Sequence, residues 1–397
     1  MSRKGIDFAH ETGVGLIIIL DCGIKAIKEI EYAKELGIDF IICDHHVPDE
    51  EMPQAAAILN PKREDDTYPF KHLCGCGVGF KFMQAFAKSN GISFSRLIPL
   101  LDFCAVSIAA DIVPVTGENR ILAYHGLKQL NQNPNIGLKA IIDICGLNGR
   151  TLSMSDIVFK IGPRINASGR MENGRESVNL LVEKDFAVAF DKAKHINEYN
   201  EQRKDLDKQM TEEANLIVGR LESQQKHSSI VLYDENWKKG VIGIVASRFA
   251  RDYNRPAIVL TIQGDEAHGS GRSIGGLNLI KVLSKCSHLL TRYGGHPMAV
   301  GLGLRKEDIP EFNRVFEETV RSEITPEDLI DSVSYDGTVN LSDLGPDFFS
   351  YYDKLGPFGH GNPQPCYRLN RVEVIRTFPI KAGHTKGILR DSGGDTT

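Results

Sequence analysis

The unbroken apolar run Gly15-Leu16-Ile17-Ile18-Ile19-Leu20 constrains this chain more than any other segment. So many β-branched residues form a strand, and without polar alternation the run reads as one buried on both faces. Ile24, Ile27, Ile30, Ala33 and Leu36 follow at helical spacing, and Gly37 ends the stripe. Phe40-Ile41-Ile42-Cys43 is the next strand, and Ala56-Ala57-Ile58-Leu59 is a third, closed by Asn60-Pro61. Strand, helix, strand at this distance is a βαβ unit, which requires a parallel sheet. The fold class is therefore α/β.

Downstream, Gly75 to Ser89 reads as a Gly-rich start followed by a helix, and Leu97 to Ala110 as a second, apolar helix. Asn131 to Asn148 is more polar, with Asn, Pro and Gly. Asp185 to Glu222 is one long charged helical segment without Pro, suited to connect two lobes. A second α/β domain begins near His227, with strands Ile230 to Tyr233 and Ala257 to Leu260 around a helix from Ile242 to Arg251. After a break at Ile324-Thr325-Pro326-Glu327, Val333 to Val339 and Tyr367 to Thr377 look like strands of a small β domain. The expected divisions are 1–175, 176–225, 226–325 and 326–397.

At 397 residues the chain has room for two or three domains. Hydrophobic residues at 41% and charged residues at 25% are those of an ordinary soluble globular protein. A net charge of -5 weighs against a binder that is basic overall and leaves room for a local basic channel. The eight cysteines are scattered without a CxxC pair, which reads as reduced thiols in a cytoplasmic protein. The N-terminus lacks the apolar run of a signal peptide, and no stretch is long enough to span a membrane.

Three acidic positions close apolar segments. Asp21 follows Ile17-Ile18-Ile19-Leu20, Asp44-His45-His46 follows Ile41-Ile42-Cys43, and Asp111 follows Ser107-Ile108-Ala109-Ala110. Ligands of open α/β sheets gather at the carboxyl ends of strands. Asp21 and Asp44 are separated by one βαβ unit and should end adjacent strands. One Asp after a strand is ordinarily a turn or a helix cap. Two adjacent histidines beside an Asp are rarer, and carboxylate with imidazole makes a site for Mn²⁺ or Mg²⁺. The Gly75-x-Gly77-x-Gly79 pattern lacks the Lys-Ser/Thr of a phosphate loop and reads as a tight helix start.

These residues resemble the DHH phosphoesterases, and their order resembles the RecJ-type exonucleases among them. The matching segments are Leu20-Asp21-Cys22-Gly23, Asp44-His45-His46, Gly75 to Lys81, Ala109 to Pro114 and Pro163 to Arg170. In the second domain they are Gly240 to Arg248, Gly269-Ser270-Gly271-Arg272-Ser273 and Gly294-Gly295-His296, and Gly356 to Pro363 is similar to the start of the family's oligonucleotide-binding barrel. The resemblance implies a two-lobed protein with a central cleft: a parallel-sheet catalytic domain, a long connecting helix, a second α/β domain and a partial C-terminal OB-like barrel. It implies Asp21, His45 and Asp111 as ligands of a two-metal Mn²⁺ or Mg²⁺ site, His46 on the scissile phosphate and Asp44 supporting both histidines. It implies Arg164, Asn166 and Arg170 along the strand's path, Ser270, Arg272 and Arg248 on a terminal 5′-phosphate, and His296 at the cleft. Gly269 to Ser273 reads as a Gly-flanked turn in which bare N–H groups form an anion nest.

The implied reaction is hydrolysis of single-stranded DNA from a 5′ end, releasing 5′-mononucleotides, in DNA repair and recombination. One departure stands out. The family's first motif, an Asp-x-Asp cluster, has no counterpart before Asp21, where Asp7 and Glu11 sit in a helical stretch. The chain is thus expected to begin inside the catalytic domain, without some of the metal ligands, and to break off inside the C-terminal domain. Two rival functions are a DHH phosphodiesterase for short oligonucleotides or cyclic dinucleotides, and a catalytically incomplete single-strand-binding fragment. The long connector and barrel-like tail weigh against the first, and the missing motif favours the second.

Overall fold

The computed structural model describes all residues except 1, 172, 225–226, 326–329, 331–332, 381–383, 392 and 394–397. The expected break at Pro326-Glu327 lies outside the described residues, as does most of the final Ser392 to Thr397 stretch. The chain divides into two compact units: Met1–Ile165 with Val178–Lys194 and Ser334–Thr397, and Asn166–Ser177 with His195–Val333.

The first unit opens with α1 (Arg3–Glu11), β1 (Leu16–Leu20), α2 (Ile27–Glu35), β2 (Asp39–Cys43) and β3 (Ala57–Leu59). The three strands are parallel in the order β1-β2-β3, with Leu20 level with Cys43 and Cys43 level with Leu59. Helices α1 and α2 cover one face, where Ile6, Ile30, Ala33, Phe40 and Ile42 form a core. β1 departs from the sequence reading. It is an edge strand, and Leu16, Ile18 and Leu20 lie about half exposed on its other face. An unbroken apolar run has the same composition whether both faces are covered or one is open, so the pattern alone cannot tell them apart.

Helices α3 (Gly75–Ser89), α4 (Leu101–Ala110), α5 (Gly117–Gln132) and α6 (Ile136–Ile144) continue this unit. α6 corrects the reading of 131–148 as polar: Leu138, Ala140, Ile141 and Ile142 are buried. Gly137 lets α6 pack tightly, since a Cβ there would lie 2.3 Å from the Leu180 carbonyl oxygen. A short turn, α7 (Met154–Asp156), is closed by a Ser153–Asp156 capping box. α8 (Gly162–Met171), α9 (Arg175–Leu181) and α10 (Phe186–Gln224) follow, and the 39 residues of α10 form the expected long helix.

The second unit is built on a five-stranded sheet in the order β4-β5-β6-β8-β7, formed by β4 (Ile230–Asp234), β5 (Ala257–Gln263), β6 (Glu266–Arg272), β7 (Arg292–His296) and β8 (Ala299–Arg305). On one face, α12 (Leu279–Lys285) and α13 (Ile309–Glu323) pack on Ile258, Leu260, Val300 and Leu302. On the other, α11 (Ile242–Tyr253) and α10 enclose Trp237, Val245 and Phe249. Gly269 to Arg272 therefore belongs to a central strand, not a turn. Its glycines are required by packing: a Cβ on Gly271 would lie 2.5 Å from Ile258 and 2.6 Å from Val300.

The C-terminal segment, assigned by contacts to the first unit, holds β9 (Gly337–Val339), α14 (Pro346–Lys354), β10 (Tyr367–Leu369), β11 (Glu373–Pro379) and β12 (Thr385–Arg390). β9 pairs with β10, and β11 with β12. These two small sheets do not close into a barrel among the described residues. Nor does any described helix have the length and apolarity to cross a membrane.

Candidate metal centre and anion cavity

The ladder between β1 and β2 runs one residue past the strands, since Asp21 N–H donates to the Cys43 carbonyl at 2.8 Å. The chain then turns with Asp21 at φ 65°, a left-handed conformation that Asp tolerates better than most residues. This turn aims the carboxylate at the first residue of α3. Gly75 is needed there: a Cβ would lie 2.0 Å from Asp21 Oδ1. The helix N-terminus supplies a favourable field for the carboxylate.

The three residues after β2 hold one another. Buried Asp44 accepts from Ile24 N–H at 3.0 Å, from His45 N–H at 2.7 Å and from His46 N–H at 3.2 Å. Its Oδ1 also meets His46 Nδ1 at 2.7 Å. Burial works against the charged form of Asp44, but these bonds outweigh it and lower the pKa. Asn60 fastens the segment from outside, donating to the His46 carbonyl at 2.8 Å.

His45 is buried, and its Nδ1 bonds the Leu73 carbonyl at 3.1 Å. That bond makes Nδ1 the donor and turns Nε2 toward the carboxylates. Nε2 lies 3.1 Å from Asp21 Oδ1 and 3.3 Å from Asp111 Oδ2. Asp111 reaches this point from the C-terminal end of α4. Burial disfavours the imidazolium, but the hydrogen bond to Asp21 and the two negative charges override it and raise the His45 pKa. Asp111 is raised too, by burial first and then by repulsion from Asp21. Mutual repulsion between converging carboxylates is what a cation relieves. One ligand atom each from Asp21, His45 and His46 fits within 4.8 Å. These oxygen and nitrogen donors suit Mn²⁺ or Mg²⁺.

The second unit carries a cavity of about 600 Å³. Side chains alternate along β6, so Ser270 and Arg272 share the face turned away from the apolar core of α12 and α13. Arg272 Nη1 donates to Ser270 Oγ at 3.0 Å and to the Gly271 carbonyl at 2.8 Å. Arg170, from α8, lines the same cavity and donates to the Gly240 carbonyl at 3.1 Å. Burial lowers the pKa of both guanidiniums, and for Arg272 the charge of Arg170 adds to it. Two partly desolvated cations side by side make an anion site. α11 begins close above: a Cβ on Gly243 would lie 3.0 Å from Ser270 Oγ and 3.4 Å from Arg272 Nη2.

The remaining sequence candidates are placed differently. Arg164 and Asn166 lie on α8, where Arg164 Nη1 donates to the Lys160 carbonyl at 2.8 Å. Arg248 is not among the residues lining the cavity. It is spent on α10, bonded to Asp207 at 2.6 Å and to Thr211 at 3.1 Å. His296 ends β7, exposed, in register with Ala299 and through it with Arg272. Sequence reading missed Gly75, Asn60 and the Leu73 carbonyl at the metal centre, and His268, Arg292 and Lys239 in the cavity. Period-two alternation outward from Ser270 would have found His268 had β6 been read as a strand.

The N-terminal domain of the DHH family matches residues 3–108, the DHHA1 domain residues 226–322 and the RecJ OB domain residues 335–397. The single-stranded-DNA-specific exonuclease RecJ of Bacillus subtilis is 37% identical over 387 residues, covering 96% of this chain and 48% of that protein. Its counterpart in Escherichia coli is 33% identical over 411 residues, covering 99% and 71%. The crystal structure of RecJ in complex with Mn²⁺ from Thermus thermophilus matches with a TM-score of 0.85 at 27% identity, covering 99% of this chain and 57% of that one. The chain thus spans about half the length of its Bacillus relative. Three domain matches in order, with a third of residues identical to relatives over nearly the whole chain, show that it belongs to the RecJ family of DHH phosphoesterases.

Proposed function

We propose that this chain is the core of a metal-dependent exonuclease that hydrolyses single-stranded DNA from a 5′ end and releases 5′-mononucleotides. The observation that carries the reading is the meeting of His45 Nε2 with Asp21 and Asp111 at 3.1 and 3.3 Å. Mn²⁺ or Mg²⁺ held there would supply charge stabilisation for a phosphoryl centre and a nucleophilic water at neutral pH. Asp21, His45 and Asp111 bind the ion, and the Leu73 carbonyl keeps His45 in the tautomer that leaves Nε2 free to do so. Asp44 orients His46 through Nδ1, so Nε2 of His46 is the atom offered to a non-bridging phosphate oxygen. Ser270, Arg272 and Arg170 hold the terminal 5′-phosphate. Arg164 and Asn166 contact the strand on its path, and His296 contacts it from the second unit. Arg248 serves the packing of α11 on α10.

The test compares degradation of a 5′-phosphorylated single strand and of a blunt duplex at one fixed salt concentration, since phosphate contacts are screened. Fast loss of the single strand, abolished by Asp111→Ala together with Mn²⁺ binding, supports the proposal. Equal rates on both substrates would end it.

A further inference from the structure

The cavity of the second unit is larger and more basic than one phosphate requires. Its volume of about 600 Å³ is that of a small-molecule site. Its floor is nearly bare. Across the sheet from Ser270 stand Gly301 and then Gly294, and a Cβ on either would meet nothing within 4 Å.

One row further along, His268 is level with Gly303 and Gly303 with Arg292. The Arg292 side chain lies across Gly303, where a Cβ would stand 3.0 Å from its Cγ and Nε. It ends on His268, Nη2 donating to Nδ1 at 2.6 Å. A histidine that accepts at Nδ1 carries its proton on Nε2, so it is itself a neutral donor. Burial first, then the charges of Lys239 and Arg292 beside it, lower the His268 pKa, against the pull of Glu266. One carboxylate answers this group: Glu266 Oε1 lies 3.5 Å from Arg292 Nη2. Lys239, Arg292 and His268 thus form a second cluster of anion donors in the same cavity. It lies two residues along β6 from Ser270, about 7 Å at the rise of a strand.

We propose that the cavity takes a 5′-polyphosphorylated strand end, with Ser270, Arg272 and Arg170 on the phosphate nearest the sugar and Arg292, His268 and Lys239 on the outer phosphates. The proposal deepens the 5′-phosphate anchor of the previous subsection and rests on it. The extended phosphate chain lies over the glycine floor. A guanidinium grips a phosphate through two parallel bonds, and a terminal phosphate carries more charge than a diester.

The experiment measures binding of one single-stranded sequence with a 5′-hydroxyl, a 5′-monophosphate or a 5′-triphosphate, by fluorescence anisotropy in EDTA so that no hydrolysis occurs. The full protein should bind the triphosphate about tenfold more tightly than the monophosphate. Arg292→Ala should remove that step and keep the step from hydroxyl to monophosphate. Arg292 is mostly solvent-exposed, so its loss leaves the core intact, and Lys239→Ala should give a smaller effect in the same direction. Equal binding of triphosphate and monophosphate by the parent overturns the proposal, as does an Arg292→Ala loss that is the same for all three ends. A parent that treats hydroxyl and monophosphate alike but still prefers the triphosphate instead refutes the monophosphate anchor and leaves the outer site standing.

Discussion

Gly75 has no side chain because Asp21 occupies its place: a Cβ there would overlap the Asp21 carboxyl oxygen at 2.0 Å and its Cβ at 2.6 Å. Gly75→Ala should therefore turn Asp21 out of the metal centre while α3 still forms, since alanine is the better helix residue. The expected loss is about 10–100-fold in Mn²⁺ affinity, as for removal of a residue that positions a ligand. Titration followed by the spectrum of the free ion, beside an unchanged circular dichroism spectrum, checks it.

Asp44→Asn keeps the shape of the buried side chain and removes its charge. The three backbone donors and His46 then face a neutral amide whose NH2 group cannot accept, so at least one donor loses its partner. Strand degradation should fall on the order of a hundredfold. Mn²⁺ affinity should change far less, because Asp44 is not expected to bind the ion. Equal losses in rate and in metal affinity would place Asp44 among the ligands.

Arg272→Ala should remove a charge-assisted bond worth on the order of 1.5–3 kcal/mol from 5′-phosphorylated substrates. On 5′-hydroxyl strands the loss should nearly vanish. Rates at low substrate, measured on both, decide the matter. An equal loss on both ends would reduce Arg272 to general backbone binding.

Acid should weaken the first unit through Asp156. Its burial opposes the charge, but Ser153 N–H and Oγ, Arg150 and Lys160 outweigh that and hold the pKa at about 2. A pKa lowered in the folded state adds stability above the unfolded value near 4, and that stability is lost as pH falls from about 4 through about 2. Against Asp156→Asn, the parent's advantage in urea should be on the order of 2 kcal/mol at pH 7 and shrink across that window. A difference that does not vary with pH would assign the effect to shape alone.

The place of Asp21 and Asp44 at neighbouring strand ends was legible because each directly follows an apolar run that reads as a strand. The second unit's sheet was half legible. β4 and β5 are rich in Ile and Val, whereas β6 reads Glu-Ala-His-Gly-Ser-Gly-Arg, a composition local propensity assigns to a turn. What makes it a strand is antiparallel pairing with β5 on one side and β8 on the other, tertiary contacts absent from the local sequence. Arg248 came from the resemblance alone, and its bond to Asp207, 41 residues away, is again a tertiary contact that no local pattern shows.

The open face of β1 has a practical side. An edge strand that shows Leu16, Ile18 and Leu20 to water offers both unpaired backbone groups and a greasy surface to any second molecule. In concentrated solution this strip gives molecules of the 397-residue chain one place to stick to one another.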